Sequence, residues 1–378
     1  MNGDLHLWQA RWAEQARRLR AEGRFRALGQ GQDASFCHND YLGLRRDPRL
    51  ILALHEALEA NLPTTASGSR LLSGNLDRFE RFENEFAGAA GFPRALLFGS
   101  ASEANRAVIS ALAGRHDTVF HDELAHASLI DGILQSGAMR KRFRHNDPED
   151  LRAQIRNHPA KGIRLVVTES VFSMDGDCAP LIELLEVCNE EAAMLLVDEA
   201  HAVGLFGNRR TGLSEGLPKN GALVATTHGF GKALASSGGI LCTAPEVVDA
   251  IVNTSRAFIF TTAPSPLAVV AAEAAWGIAQ TDTPRQEALR RLCNVMQNGL
   301  NALGWDVPGR GQTPIFPLLC GGLDPAVRLS KSLHSSGIPL GPIRPPTVPE
   351  GSERLRATVS ADLSDADITH FLEILHVH

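Results

Sequence analysis

Residues 197–207 read "VDEAHAVGLFG", and the meaning of this stretch decides how the chain is understood. Its Asp-Glu-Ala-His begins like the Mg²⁺-holding strand of a helicase, where the acid sits beside a nucleotide. The same letters can instead set an aspartate and a histidine around a bound cofactor. A nucleotide site needs an upstream G-x-x-x-x-G-K-[ST] loop, whose backbone amides cradle phosphate. The chain has none. Its one Gly-Lys pair, Gly231-Lys232, lies downstream and is followed by Ala233 in place of Ser or Thr. A serine-hydrolase reading fails similarly, because "FGSAS" at 98–102 lacks the second glycine of G-x-S-x-G.

Composition narrows the field further. The 378 residues are 44% hydrophobic and 21% charged, with a formal net charge of -6, as in an ordinary globular chain with room for two domains. That balance, without a basic stripe, argues against nucleic acid or an anionic membrane surface as a partner. The six cysteines are scattered without a C-x-x-C pair, so neither a disulfide framework nor a metal site is expected. The N-terminal stretch is charged throughout and no run reaches the ~20 apolar residues of a membrane span. A cytoplasmic protein is the expectation.

Outward from the opening stretch, short apolar runs alternate with helical patterns: "ALLF" at 95–98, "RLVVT" at 164–168, "MLLVD" at 194–198, "ALVATT" at 222–227 and "GILCT" at 239–243. This alternation predicts an α/β domain with a largely parallel sheet. Residues 5–22 read as a charged amphipathic helix, followed by a Gly-rich connector to about residue 33. After Gln280, Thr283 can cap a helix and Pro284 suits its first turn, with Leu289, Leu292, Val295, Met296, Leu300 and Leu303 on one face. Strands at "PIFPLL" and "RLRATVS", a helix near 325–336 and a last helix with Ile368, Phe371, Leu372 and Leu375 inward complete a small α+β domain. The expected division is an N-terminal arm at 1–38, a large domain at 39–282 and a small domain at 283–378.

Asp198 ends a buried-looking strand, and Lys232 follows the next strand in a Gly-rich loop. In open parallel sheets, ligands bind just beyond the carboxyl ends of strands. A lysine able to form a Schiff base and a carboxylate able to hold a pyridine nitrogen protonated are what a pyridoxal phosphate site demands.

These residues sit among longer motifs: "HNDYLGL" (38–44), "SGSRLLSGN" (67–75), "HDELAHASLIDGILQSGA" (121–138), "ESVFSMDGDCAPL" (169–181), "FGKALASSGG" (230–239) and "IRPPTVPEGSERLR" (343–356). With them the chain resembles the α-oxoamine synthases, fold-type I pyridoxal phosphate-dependent transferases, from about residue 38 to the C-terminus. The resemblance implies that Lys232 is the Schiff-base lysine and base, and that Asp198 pairs with the pyridinium nitrogen. It implies further that His126 stacks on the ring, and that His201 and Ser173 hydrogen-bond the ring oxygen. Phosphate is expected where "FGSASEANRAVISAL" turns from strand to helix, at Ala101 and Ser102, since helix N-termini bind anions. Relatives carry Gly and an aromatic there, and a hydroxyl where this chain has Gly229; Thr226, Thr227 or His228 are the candidates to compensate. The "AAH" of relatives is replaced by Ala361, Asp362 and Leu363.

The resemblance also implies a homodimer, with Thr262 reaching the partner's phosphate. It assigns the substrate carboxylate to Arg356, with Arg344 a second candidate, and puts Asn39, Ser67 and Ser69 at the thioester entrance. The run at 343–356 is most like the member that condenses L-alanine with pimeloyl-CoA, or a pimeloyl carrier-protein thioester, in biotin biosynthesis. Arg24 or Arg26 of the arm is the expected cation for the distal carboxylate of that acyl chain. Glycine C-acetyltransferase chemistry and a non-catalytic protein retaining the fold are the alternatives.

Overall fold

A computed structural model describes residues 6–26, 28, 36–158, 161–219 and 221–376. Most of the connector expected at 24–33 therefore lies outside the described residues. A seven-stranded sheet is built from β1 (Arg94–Phe98), β2 (Thr118–Asp122), β3 (Met139–Phe143), β4 (Arg164–Glu169), β5 (Met194–Asp198), β6 (Leu223–Gly229) and β7 (Gly239–Thr243). The order is β1-β7-β6-β5-β4-β2-β3, in which β7 runs antiparallel to both its neighbours and the other pairs are parallel. Helices cover both faces, so the central strands carry unbroken apolar runs: Leu195, Leu196 and Val197 of β5 are fully buried.

The apolar runs expected for β1 and β4 to β7 fall on strands, whereas β2 and β3 were not among them. "TVFHD" carries a buried His121 and Asp122 at its end, and "MRKRF" is mostly cationic. As the sheet edge, β3 has one open side, and Arg140, Lys141 and Arg142 guard it against pairing with other chains. On one face of the sheet, Phe82, Phe86, Phe230 and Trp276 form an aromatic cluster with centroids 4.9–6.3 Å apart. The other face packs the helices Ala101–Leu112 and Ala127–Ser136 through Ala104, Val108, Leu129 and Ile133.

Beyond the helix Thr283–Ala302, β8 (Ile315–Leu319), β9 (Pro342–Ile343) and β10 (Arg354–Thr358) form an antiparallel sheet in the order β8-β10-β9. The helices Leu323–Ser335 and Asp365–His376 accompany it, the latter burying Ile368, Phe371 and Leu375. The two sheets are joined by the segment 36–44. Thr358 N–H donates to Phe36 O (2.9 Å), Thr358 Oγ1 to His38 O (2.7 Å), Ser360 Oγ to Asp40 O (2.6 Å) and Ala361 N–H to Tyr41 O (2.9 Å). The helix Leu7–Ala21 buries none of its residues and leaves Trp8 and Trp12 58% and 56% exposed. Among the described residues, no helix is long and apolar enough to cross a membrane.

Candidate active site

The carboxyl ends of β4, β5 and β6 converge below a cavity of about 870 Å³. Its wall includes Asn39, His126, Ser173, His201, Lys232 and Arg356, drawn from six separate segments. Asp198 lies in the floor at the end of β5, 4% exposed. Its Oδ1 accepts from Ala200 N–H (2.9 Å) and its Oδ2 from Asn105 Nδ2 (2.7 Å).

Asn105 carries much of the floor, and the sequence reading did not single it out. It projects from the helix Ala101–Leu112 and is 1% exposed. Its amide donates to Asp198 and to Ser128 Oγ (2.9 Å), while its carbonyl accepts from Thr227 Oγ1 (2.6 Å). Those partners fix the amide's orientation. Ser128 Oγ therefore spends its proton on His126 Nδ1 (2.8 Å), which also accepts from Ser128 N–H (3.2 Å). With Nδ1 an acceptor twice over, His126 carries its proton on Nε2. Asp198 and His126 are thus oriented by one chain of hydrogen bonds.

His201 is held by Tyr41, whose hydroxyl lies 2.8 Å from Nδ1. Burial, with Lys232, Arg356 and His126 nearby, keeps the imidazole well below its usual pKa and so neutral. Tyr41 is the only tyrosine of the chain and is fully buried, a signal that could have marked it within "HNDYLGL". Burial lowers the pKa of Lys232 as well, opposed by Asp198 and Glu169, which favours a neutral amine able to act as nucleophile or base.

Arg356 reaches across from β10. Its Nε donates to Ser173 O (2.5 Å), Nη1 to Asn39 Oδ1 (2.9 Å) and Nη2 to Tyr41 Oη (3.2 Å). These partners are all neutral, so among the described residues the guanidinium keeps its positive charge uncompensated against the cavity. Arg354, two residues earlier, is instead paired with Asp175.

His145 clamps the two loops that bear His126 and Ser173. Nδ1 lies 2.9 Å from Asp122 at the end of β2, and Nε2 lies 2.8 Å from Asp177 in the loop after β4. Burial opposes its charge, but the hydrogen bonds to both carboxylates prevail and raise its pKa to about 10. The clamp is a cation at neutral pH.

Several expected residues stand apart from the cavity wall. Ala101 and Ser102 open the helix Ala101–Leu112, where Ser100 Oγ caps Glu103 N–H (3.1 Å) and Ser100 O takes Ala104 N–H (3.2 Å), so that only the two leading amides are left for an anion. A Cβ on Gly229 would sit 3.2 Å from Ala200 Cβ and 3.3 Å from Ala101 Cβ, so the corner is packed too closely for a side chain there unless its neighbours shift. Of the candidates to compensate for Gly229, Thr227 gives its hydroxyl to Asn105. Thr226 and His228 point to the other face of β6, where Thr226 Oγ1 meets His228 Nε2 (2.9 Å) and the His228 ring packs on Phe86. Period-two alternation puts them on the wrong side.

Thr262 is exposed and Ser67 and Ser69 do not line the cavity. Arg24 turns back to Glu22 (3.2 Å) rather than toward the mouth. Arg26 and Arg344 do approach it: Arg26 Nη2 donates to Thr347 Oγ1 (3.3 Å), a wall residue, and Arg344 Nη2 to Phe25 O (2.8 Å). Burial and the neighbouring Arg26 lower the pKa of Arg344, and among the described residues neither arginine has an acidic partner.

The donor set fits pyridoxal phosphate: a buried lysine, a fixed anion below it, a flat imidazole with a known tautomer, and a helix N-terminus for phosphate. The described residues contain no cluster of three or more His, Cys, Asp or Glu that could hold a metal ion.

Comparison with known proteins agrees with this geometry. A profile of the aminotransferase class I and II family matches residues 33–375. A protein of Geobacillus kaustophilus named putative 8-amino-7-oxononanoate synthase is 42% identical over 367 residues, covering 96% of this chain and 93% of that one. The 8-amino-7-oxononanoate synthase of Anaeromyxobacter dehalogenans is 40% identical, covering 94% of this chain and 88% of its own. A serine palmitoyltransferase solved with PLP superposes with a TM-score of 0.87 at 28% identity, covering 99% of this chain and 98% of the other.

Proposed function

The chain belongs to the aminotransferase class I and II family, and from that premise we propose that it is a PLP-dependent acyltransferase joining L-alanine to a pimeloyl thioester, the 8-amino-7-oxononanoate synthase reaction. The observation that carries the reading is the convergence of Lys232, His126, His201 and Arg356 on one cavity, with buried Asp198 tied to His126 through Asn105 and Ser128. Bound there, PLP supplies an electron sink for the electron pair left on the amino acid's α-carbon.

The chain's residues supply the rest. Asp198, held by Asn105 and Ala200, would pair with the pyridine nitrogen. Arg356 takes the substrate carboxylate in a two-pronged grip, exchanging neutral partners for a charged one. With the cofactor bound, His126 would cover one face and present Nε2–H, His201 and Ser173 would serve the ring oxygen, and Lys232 would remove the α-proton. The α-carbon then bonds to the thioester carbonyl carbon, the C–S bond breaks and the thiol departs. Loss of the carboxylate as CO₂ leaves that carbon to be protonated, and Lys232 can return the proton it took.

At the mouth, Arg26 and Arg344 offer the distal carboxylate of the acyl chain its cation. A second copy of the chain completes the phosphate site through exposed Thr262, and the six free thiols suit a cytoplasmic enzyme. The test is thiol release by the PLP-loaded protein from pimeloyl-CoA with L-alanine, glycine or L-serine. Release that requires L-alanine is the expected result. Release with glycine alone, or none from a pimeloyl thioester on CoA or carrier protein, overturns the substrate assignment.

A further inference from the structure

One buried acid of the floor has no part in the reaction described above. Glu169 ends β4 and is 3% exposed. In the parallel register of β4 and β5 it stands directly beside Asp198. Two carboxylates on adjacent strand ends, both closed off from water, cannot both ionise cheaply. Asp198 has the stronger claim to the charge, with the Asn105 amide and the Ala200 N–H on its two oxygens. Glu169 Oε1 is buried without any hydrogen-bond partner. An orphaned buried oxygen is costly, and such a group persists where something that binds later satisfies it.

We infer that Glu169 is a further positioning residue of this site, a neutral carboxylic acid that offers a hydrogen bond to an oxygen brought in with the cofactor while Asp198 carries the negative charge. The groups facing it support this assignment. Asp198 on β5 and Asp122 on β2 disfavour a second anion, whereas Lys232 and the backbone N–H of His126 favour one. Burial outweighs all of them and holds the carboxyl well above its ordinary pKa. A carboxylic acid kept protonated in an apolar site so that it can donate is a known catalytic device. The arrangement also spares Lys232: with one anion below it rather than two, its amine is more easily neutral.

The inference rests on PLP being the ligand, and the test separates the two. The infrared spectrum of the cofactor-free wild type at neutral pH should contain a protonated-carboxyl C=O stretch that vanishes in Glu169→Gln and moves to lower frequency when PLP is added. PLP affinity, measured by equilibrium titration of the visible band, should stay within about twofold in Glu169→Gln, which remains a neutral donor, and weaken about tenfold or more in Glu169→Ala. Absence of the infrared band, or a Gln variant binding as weakly as the Ala variant, overturns the inference; so does an Ala variant that binds as tightly as wild type. If Glu169→Ala does not fold, the infrared comparison of wild type with Glu169→Gln decides alone. Failure of the wild type to take up PLP sinks the functional reading and the donor role with it, whereas uptake without the band sinks only the inference.

Discussion

The floor and the mouth of the cavity are held in different ways. In the floor, Asp198, Asn105, Ser128 and Thr227 are buried and bonded to one another, so each fixes its neighbours' orientation. At the mouth, Arg26 and Arg344 each rest on a single neutral oxygen, and the arm that bears Arg26 buries none of its helix. A preorganised floor serves chemistry that is the same for every amino-acid substrate. The loosely held mouth can be altered with the acyl chain at little cost to the fold.

Four substitutions test this contrast. Lys232→Ala should reduce thiol release on the order of 10⁴-fold or more and remove the visible band of the loaded protein, since nucleophile and base are lost together. Substantial residual turnover would mean that the floor is not where the chemistry occurs. Asn105→Ala leaves Asp198 and Ser128 each short of a donor. At about 1–3 kcal/mol per orphaned group, cofactor affinity should fall roughly 100-fold. An Asn105→Ala titration curve matching wild type would show the floor to be less interdependent than its hydrogen bonds suggest.

His145→Gln should destabilise the fold by roughly 2–3 kcal/mol at low pH, where the cation bridges two acids. Its raised pKa sets the sign: the stabilisation is complete below the imidazole's ordinary 6.5 and is lost as pH rises through about 10. Denaturation curves of wild type and variant should therefore converge between those pH values, and a constant gap would refute the charged clamp. Arg344→Ala, at the mouth, should raise KM for the pimeloyl thioester about tenfold or less with kcat little changed, and should not affect an acyl thioester lacking a distal carboxylate. A large fall in kcat would erase the distinction between the two regions.

The same contrast explains what could be read from the sequence. Strand interiors and the order of elements follow from apolar runs and their spacing, and the chemically distinctive Lys232, Asp198, His126 and His201 stand out in their motifs. Edge strand β3 is hidden by its own cations, and β2 by a histidine and an aspartate at its end. Asn105, Glu169 and Tyr41 escaped notice because their roles come from partners far away in the chain: Asp198 for the first two, His201 and Arg356 for the third. Arg24 pairs with Glu22 two residues away whereas Arg26 meets Thr347 of the cavity wall, a difference that residue type alone does not reveal.

The seam between segment 36–44 and β10 has a consequence for how the protein is made. Asn39 and Tyr41 are made early among the residues of the site, yet Thr358 and Ser360, which hold their segment, lie 320 residues beyond their partners His38 and Asp40. Closing so long a loop is slow compared with local folding. During synthesis the large sheet can form around Lys232 and Asp198 while Arg356 and its partners are still missing. The nascent chain thus acquires a lysine and its acid well before the grip that selects an amino acid, and substrate selection begins only once β10 has been made.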